Sequence, residues 1–158
     1  MNADRLILDE YFKVEALFAP FPSLTDQIKL TTERLSSLRD ELLLEQDFEM
    51  AKGKALSGLS DLLSNYLAIA LTLGAESYSH TLSLREKDVK RAFDIPIDLL
   101  NKFAAEAEEK HFASSFGAML NLSLLYGIEF QDIRKAYADC ALKRYDAMKE
   151  AQDAVEPR

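Results

Sequence analysis

Residues 39–74 read RDELLLEQDFEMAKGKALSGLSDLLSNYLAIALTLG, and they carry the clearest signal of the fold class. It begins with charged side chains and becomes almost purely apolar after Asp61. Leucine, alanine and glutamate dominate it, all of them strong helix formers, and no proline interrupts it. The stretch therefore predicts packed helices, with the apolar part after Asp61 as a helix of the core.

The composition of the whole chain supports the same fold class. Of 158 residues, 48% are apolar, while only 5 are glycine and 4 are proline. This balance predicts an all-α protein, a bundle of five or six helices that forms one domain over residues 1–152. Residues 153–158 are expected to be a frayed tail.

Charge and cysteine content exclude several classes of protein. The formal charge of −8 argues against a protein that binds duplex nucleic acid, which needs a basic surface. The single Cys140 excludes an intrachain disulfide. The N-terminus shows no signal-peptide pattern, and polar residues interrupt the apolar run of residues 56–73. We therefore expect a cytoplasmic protein without a membrane span.

Turn residues divide the first half of the chain. Apolar residues at helical spacing predict a first helix over residues 6–18, which the prolines of residues 19–23 end. Ser23 and Asp26 form a capping pair for a second helix, expected to run to Met50. A turn at 52–54 and a third helix over 55–73, ended by Gly74, are expected to follow. One glycine costs a helix only about 1 kcal/mol, so a continuous helix through Gly53 stays open.

The second half of the chain is divided in the same way. A short helix is predicted over residues 85–92, and Asp94 with the proline two residues later predicts the start of another. A further helix is expected over 112–126, before Gly127, and a last one over 130–151.

The turn at Gly53 would bring three acids together. If the chain folds back there, Glu45 comes level with Asp61 and Glu49 lies one turn away. Carboxylates that converge in this way are typical ligands of a divalent cation. Two simpler explanations stay open, because acids often line a solvated helix face and Asp61 favours the positive end of a helix.

The segment of residues 35–74 resembles the MazG-like all-α nucleoside triphosphate pyrophosphatases. Their pattern places an arginine, paired leucines and Glu-Glu-x-x-Glu on one helix, and Glu-x-x-Asp-Leu-Leu at the start of the next. The counterpart here runs from Arg39 through Glu45 and Glu49 to Asp61, and ends at Gly74. Gln46 and Gly58 stand where the family has acids, and the loop between the motifs is shorter. Candidates for the family's downstream asparagine and lysine are Asn101-Lys102 and Lys143-Arg144.

The resemblance implies a fold, a reaction and a site. The fold would be a four-helix MazG-like core over residues 4–93, with additional helices over 94–152. The reaction would be Mg²⁺- or Mn²⁺-dependent hydrolysis of a nucleoside triphosphate to the monophosphate and pyrophosphate, in a homodimer or homotetramer. Glu45, Glu49 and Asp61 would hold the metal, and the two glutamates would serve catalysis. Gln46, Lys54 and Asn65 would contact the substrate.

Two other functions stay open on the sequence. The missing acids at Gln46 and Gly58 favour a non-enzymatic acidic adaptor or inhibitor that binds a basic protein partner. Alternatively, the chain keeps the nucleotide pocket and binds nucleotide without cleaving it.

Overall fold

Six α-helices make up most of the part of the chain that the structure describes. The structure is a computed structural model that describes residues 5–155, with side chains as far as residue 153. The helices are α1 Asp9–Glu15, α2 Leu24–Leu44, α3 Phe48–Thr72, α4 Val89–Glu106, α5 Glu109–Asn121 and α6 Phe130–Val155. The prediction of a mainly helical protein is confirmed.

A small antiparallel ribbon accompanies the helices. Strands β1 (Arg5–Ile7) and β2 (Ser79–Thr81) pair with Leu6 opposite His80. The predicted first helix is therefore wrong at its start, because Leu6 and its neighbour lie in β1 and the helix begins only at Asp9. Helical spacing between residues 6 and 11 misled the prediction, since it cannot reveal a strand partner more than seventy positions away.

Helix α3 forms the centre of the bundle, as the apolar sequence after Asp61 predicts. Its sides pack against α1, α2, α5 and α6, while α4 lies between α2 and α5. Leu63, Tyr66, Leu67 and Ile69 are fully buried. Among the residues described, no helix is long and apolar enough to cross a membrane.

The corner between α2 and α3 lies earlier than predicted. Helix α2 ends at Leu44, and α3 runs without a break through Gly53, so the expected turn at residues 52–54 is wrong. The Asp47 carboxylate accepts the backbone N–H of Met50 at 3.1 Å and caps the new helix. Buried Ala51 and Ala55 pack this first part of α3 into the core, which outweighs the cost of about 1 kcal/mol for one helical glycine.

The other predicted helix ends are mostly confirmed. The Ser23 hydroxyl accepts the backbone N–H of Asp26 at 3.2 Å at the start of α2. Gly74 and Gly127 have φ of 90° and 63° just after helical segments, a conformation that glycine adopts without strain. Helix α6 continues to Val155, past the predicted end at 151, and residues 156–158 lie outside the described part.

Helix α4 replaces two predicted helices. Asp88 caps it by accepting the backbone N–H of Arg91 at 3.0 Å, and the helix continues through Asp94 and Pro96 to Glu106. The predicted boundary between residues 93 and 94 therefore falls inside one element. Pro96 has no N–H to donate within the helix, but it is buried and its carbonyl accepts the Ser115 hydroxyl of α5 at 2.8 Å. Packing on α5 keeps the helix continuous.

Candidate functional site

Glu45 lies at the α2–α3 corner and is already engaged within the chain. Its carboxylate accepts the Lys54 ammonium at 2.8 Å and the backbone N–H of Asp47 at 3.2 Å. The hydrogen bond from Lys54 lowers the pKa of the Glu45 carboxyl, and Glu45 in turn raises the pKa of Lys54. Lys54, expected to contact a substrate, is thus the partner of Glu45, while Gln46 is exposed at the same corner.

The three predicted metal ligands do not meet within one chain. Glu49 and Asp61 are twelve residues apart on the same helix α3, which corresponds to a rise of about 18 Å. Within the described residues, no group of three or more His, Cys, Asp or Glu side chains is placed to hold a metal ion. A Mg²⁺ ion shared by Glu45, Glu49 and Asp61 of one chain therefore does not fit this fold, and their metal and catalytic roles stay predictions.

Asp61 and Asn65 instead lie together in a cleft along the middle of α3. We call it the α3 cleft; its volume is about 350 Å³, and α1, α2, α3 and α6 all contribute side chains to it. The Asn65 carbonyl accepts the Arg34 guanidinium of α2 at 2.8 Å. Of the residues predicted to bind the metal or the substrate, Asp61 and Asn65 therefore line this cleft.

A buried carboxylate forms the inner wall of the α3 cleft. Glu15 of α1 is only 1% exposed. One of its carboxylate oxygens accepts hydrogen bonds from the Ser64 hydroxyl at 2.8 Å and the Tyr137 hydroxyl at 2.9 Å. Both carboxylate oxygens accept hydrogen bonds from the Arg144 guanidinium, at 3.1–3.2 Å. Burial and the Glu15 charge raise the pKa of Tyr137, so this hydroxyl stays a donor.

Two guanidinium groups line the cleft. Arg34 bonds to Asn65, and Arg144 bonds to the preceding residue Ser64 at 2.8 Å. Arg144 is neutralised by Glu15, but Arg34 makes no ion pair within the described residues and uses few of its five donors. An anionic ligand would find unused guanidinium donors here.

The other end of the α3 cleft is apolar. Phe21, Pro22, Leu30 and Ala68 line it. The Gln27 amide supports this end, because it donates to the Pro22 carbonyl at 3.1 Å and to the Thr72 hydroxyl at 3.0 Å. The cleft thus combines a charged end with an apolar wall that includes one aromatic ring, the usual composition of a small-molecule site.

Sequence reasoning missed most of this site. The resemblance marks Arg144 only as a counterpart of the family's downstream motif, and no motif marks Glu15, Arg34 or Tyr137. One signal was available: Glu15 lies four residues after Tyr11 and three before Phe18, on the apolar side of the first helix. An acid at such a position indicates a buried partner of opposite charge.

Comparison of the chain with protein-family models, with curated proteins and with solved structures finds no match. The site must therefore be interpreted from its own residues.

Proposed function

We propose that this protein binds a nucleoside triphosphate in the α3 cleft and hydrolyses it to the monophosphate and pyrophosphate. The supporting observation is that Arg34, Arg144 and Asp61, from three different helices, line one cleft. Arginine binds phosphate oxygens through paired hydrogen bonds. The resemblance of residues 35–74 to the MazG-like pyrophosphatases favours the same ligand and reaction.

The charges of the cleft indicate the form in which the ligand binds. Arg34 and Arg144 contribute two positive charges, and Glu15 and Asp61 contribute two negative charges, so the cleft is neutral as a whole. A triphosphate normally arrives with Mg²⁺, which favours carboxylate and phosphate oxygens together. We therefore expect the Mg²⁺ complex to bind better than the free triphosphate, with Asp61 on the side of the ion.

The shape of the cleft suggests an orientation for the nucleotide. The phosphates would face Arg34 and Arg144, and the base would lie against the apolar wall beside Phe21. Aromatic rings stack on nucleobases with little preference for the base. Arg34 occupies only the carbonyl oxygen of the Asn65 side chain. The amide nitrogen therefore keeps its two hydrogens to donate to the ligand.

The proposed reaction transfers the nucleotidyl group to water. Water attacks the α-phosphorus, the bond from this phosphorus to the bridging oxygen breaks, and pyrophosphate leaves. Arg34 and Arg144 would stabilise the negative charge that develops on the phosphate oxygens. Asp61 is the exposed carboxylate of the cleft and is our candidate for accepting the proton of the attacking water.

A substrate panel tests the proposal. The protein is incubated with each NTP and dNTP plus Mg²⁺ or Mn²⁺, pyrophosphate is assayed, and thermal stabilisation by each nucleotide is measured in parallel. We expect Arg34→Gln to raise KM and Asp61→Asn to lower kcat. The matched control is Lys29→Gln, because Lys29 is an exposed cation on the same helix α2 and outside the cleft.

A fourth variant separates two arrangements of the site. Glu49→Gln should leave activity unchanged if the α3 cleft of one chain is the whole site. Loss of activity in Glu49→Gln would instead indicate the three-acid centre, completed by a second chain of the implied homodimer or homotetramer. Nucleotide-dependent stabilisation without pyrophosphate would indicate binding alone, and neither stabilisation nor turnover would refute the proposal.

A second candidate function is the binding of a protein partner, and a specific surface favours it. Leu43, Leu44, Phe48 and Met50, which we call the corner patch, surround the α2–α3 corner and are 50%, 82%, 56% and 57% exposed. Residues 40–50 also carry five carboxylates and no basic side chain. A partner segment with apolar side chains flanked by basic ones would complement this patch. Pairing of the corner patches of two copies of the chain would instead bring like charges together.

A peptide titration tests this second candidate. The probe is a synthetic amphipathic helix built from leucine and lysine, and its binding is followed by fluorescence anisotropy. The double variant Leu44→Ser/Phe48→Ser should lose binding, whereas Leu17→Ser and Leu142→Ser, exposed leucines elsewhere, should retain it. Equal binding to all variants would refute the role of the corner patch. Sedimentation of the wild-type and double-variant proteins would show whether the patch instead joins two copies of the chain.

A further inference from the structure

A second cavity, independent of the α3 cleft, lies where β2 and the segment after it meet α4 and α5. Its volume is about 480 Å³, and it shares no lining residue with the α3 cleft. Its floor is apolar and its rim is polar. The floor includes Ala92, Leu99, Ala118 and Leu122.

The side chain of Asn121 is held in one orientation at the rim. Its Oδ1 lies 3.0 Å from the backbone nitrogen of Ser83 and 2.8 Å from Nε2 of His80. A backbone N–H can only donate, so the atom that it meets must be the carbonyl oxygen of the amide. The same oxygen requires His80 to donate as well, which places a proton on Nε2.

This arrangement leaves the amide nitrogen of Asn121 as an unused donor. The nitrogen makes no hydrogen bond to any residue that the structure describes, although Asn121 lines the cavity. Every buried side-chain nitrogen and oxygen in the described part has a partner. The NH₂ group is therefore accessible, and it offers two fixed donors to whatever occupies the cavity.

Gly117 allows the strand side of the cavity to pack tightly on α5. A Cβ atom at this position would lie 2.7 Å from Cε1 and 2.8 Å from Nδ1 of His80, which is far below van der Waals contact. The neighbouring Tyr78 ring stacks on Phe116 with centroids 4.3 Å apart, and its hydroxyl donates to the Ala113 carbonyl at 2.8 Å. His80, and through its hydrogen bond the Asn121 side chain, is thus held in place before any ligand binds.

We propose that this cavity is a binding site for a small monocarboxylate with an apolar body. The Asn121 NH₂ group and the Arg85 guanidinium would bind the carboxylate, and the floor would bury the body. The Arg85 side chain is directed toward this rim, since its Nε lies 3.4 Å from the Ser83 hydroxyl. Glu86 at the same rim would repel a second carboxylate on the ligand.

Titration with hexanoate tests the site by NMR. We expect saturable shifts of the Asn121 side-chain NH₂ signals and of the methyl groups of Leu99 and Leu122. Hexanol, of the same length but without charge, should bind roughly tenfold more weakly, because a hydrogen bond to an ionised group is stronger than one to a neutral group. Hexylamine should bind more weakly than hexanoate, because an ammonium group cannot accept hydrogen bonds from Asn121 and Arg85.

Variants of the rim and floor complete the experiment. Arg85→Gln should weaken hexanoate binding by roughly tenfold, while Arg91→Gln, an exposed arginine outside the cavity, should leave it unchanged. Gly117→Ala should displace His80 and reduce binding, and Ala118→Phe should fill the floor and abolish it. Circular dichroism of each variant checks that the helices are retained.

Three results would overturn the assignment. Equal affinity for hexanoate and hexanol would show that the carboxylate is not recognised. Equal binding by wild type and Ala118→Phe, or shifts confined to the α3 cleft or the corner patch, would show that the ligand lies elsewhere. The proposed nucleotide hydrolysis is unaffected by any of these results, because the two cavities have no lining residue in common.

Discussion

Replacing Arg144 with methionine should destabilise the fold by about 2–3 kcal/mol. Glu15 is 1% exposed, and Arg144 is its cationic partner through two hydrogen bonds of 3.1–3.2 Å. Removing one partner of a fully buried ion pair costs about 3–5 kcal/mol. We expect a loss of stability at or just below the lower end of this range, because the Arg144 side chain is 41% exposed and water screens part of the interaction.

Methionine is chosen because it leaves the apolar contact at this position intact. The Arg144 guanidinium carbon lies 3.8 Å from the centre of the Phe18 ring, and a methionine side chain can still cover that ring. The loss of stability should therefore result mainly from the unpaired charge that remains at Glu15. The Ser64 and Tyr137 hydroxyls remain to bind Glu15 but carry no charge.

The assay is urea unfolding followed by helical circular dichroism, with the free energy of unfolding extrapolated to water. The matched variant is the double substitution Glu15→Met/Arg144→Met, which removes both charges. We expect the double variant to lose clearly less stability than the sum of the two single variants, with a coupling of about 1–3 kcal/mol. A loss below about 0.5 kcal/mol for Arg144→Met, typical of a surface change, would refute the reasoning, and so would strict additivity.

Three further predictions follow from other contacts. Gly74→Ala should destabilise the fold by about 1 kcal/mol, because Gly74 has a φ of 90°. Gly53→Ala inside α3 should stabilise the fold by about the same amount, because an added Cβ meets nothing within 4 Å. Thermal unfolding of both variants tests these opposite signs. Lys90 and Arg39 lower the pKa of Asp94. Arg39→Gln should therefore reduce the free energy of unfolding by up to about 1 kcal/mol at neutral pH, and by nothing well below about pH 4, where Asp94 is protonated. Equal reductions in urea unfolding at both pH values would contradict this. Burial raises the pKa of Tyr78 to about 12, so its proton is released more easily in the unfolded chain and stability should fall as pH rises from about 10 to 12. Urea unfolding at both pH values should show a smaller fall in Tyr78→Phe than in the wild type, and an equal fall in the two proteins would refute the prediction.

The position of the α2–α3 corner changes the functional interpretation of the acids. A turn at Gly53 would have placed Asp61 opposite Glu45, but the observed corner at Glu45 places Glu49 and Asp61 on one helix. Asp61 therefore acts, in our proposal, with Arg34 and Arg144 rather than with the two glutamates. The same corner exposes Leu44 and Phe48, which is why a protein partner remains the second candidate.

The sequence alone was enough for features that depend on a few neighbouring residues. Helical content, the Ser23 cap, the helix ends before Gly74 and Gly127, and the burial of most of residues 62–70 all follow from local propensity and periodicity. The α2–α3 corner was missed because Asp47 and Gly53 both signal a boundary locally, and only the packing of the first turns of α3 decides between them.

Which side chains form the sites depends on long-range packing. Glu15 and Arg144 are 129 positions apart in the chain, and His80 meets Asn121 across 41 positions. Periodicity places each of these residues on one face of its own element, but it does not determine which element packs against that face. That choice depends on how the apolar faces of all six helices fit together, a property of the whole chain, and the α3 cleft and the second cavity both result from it.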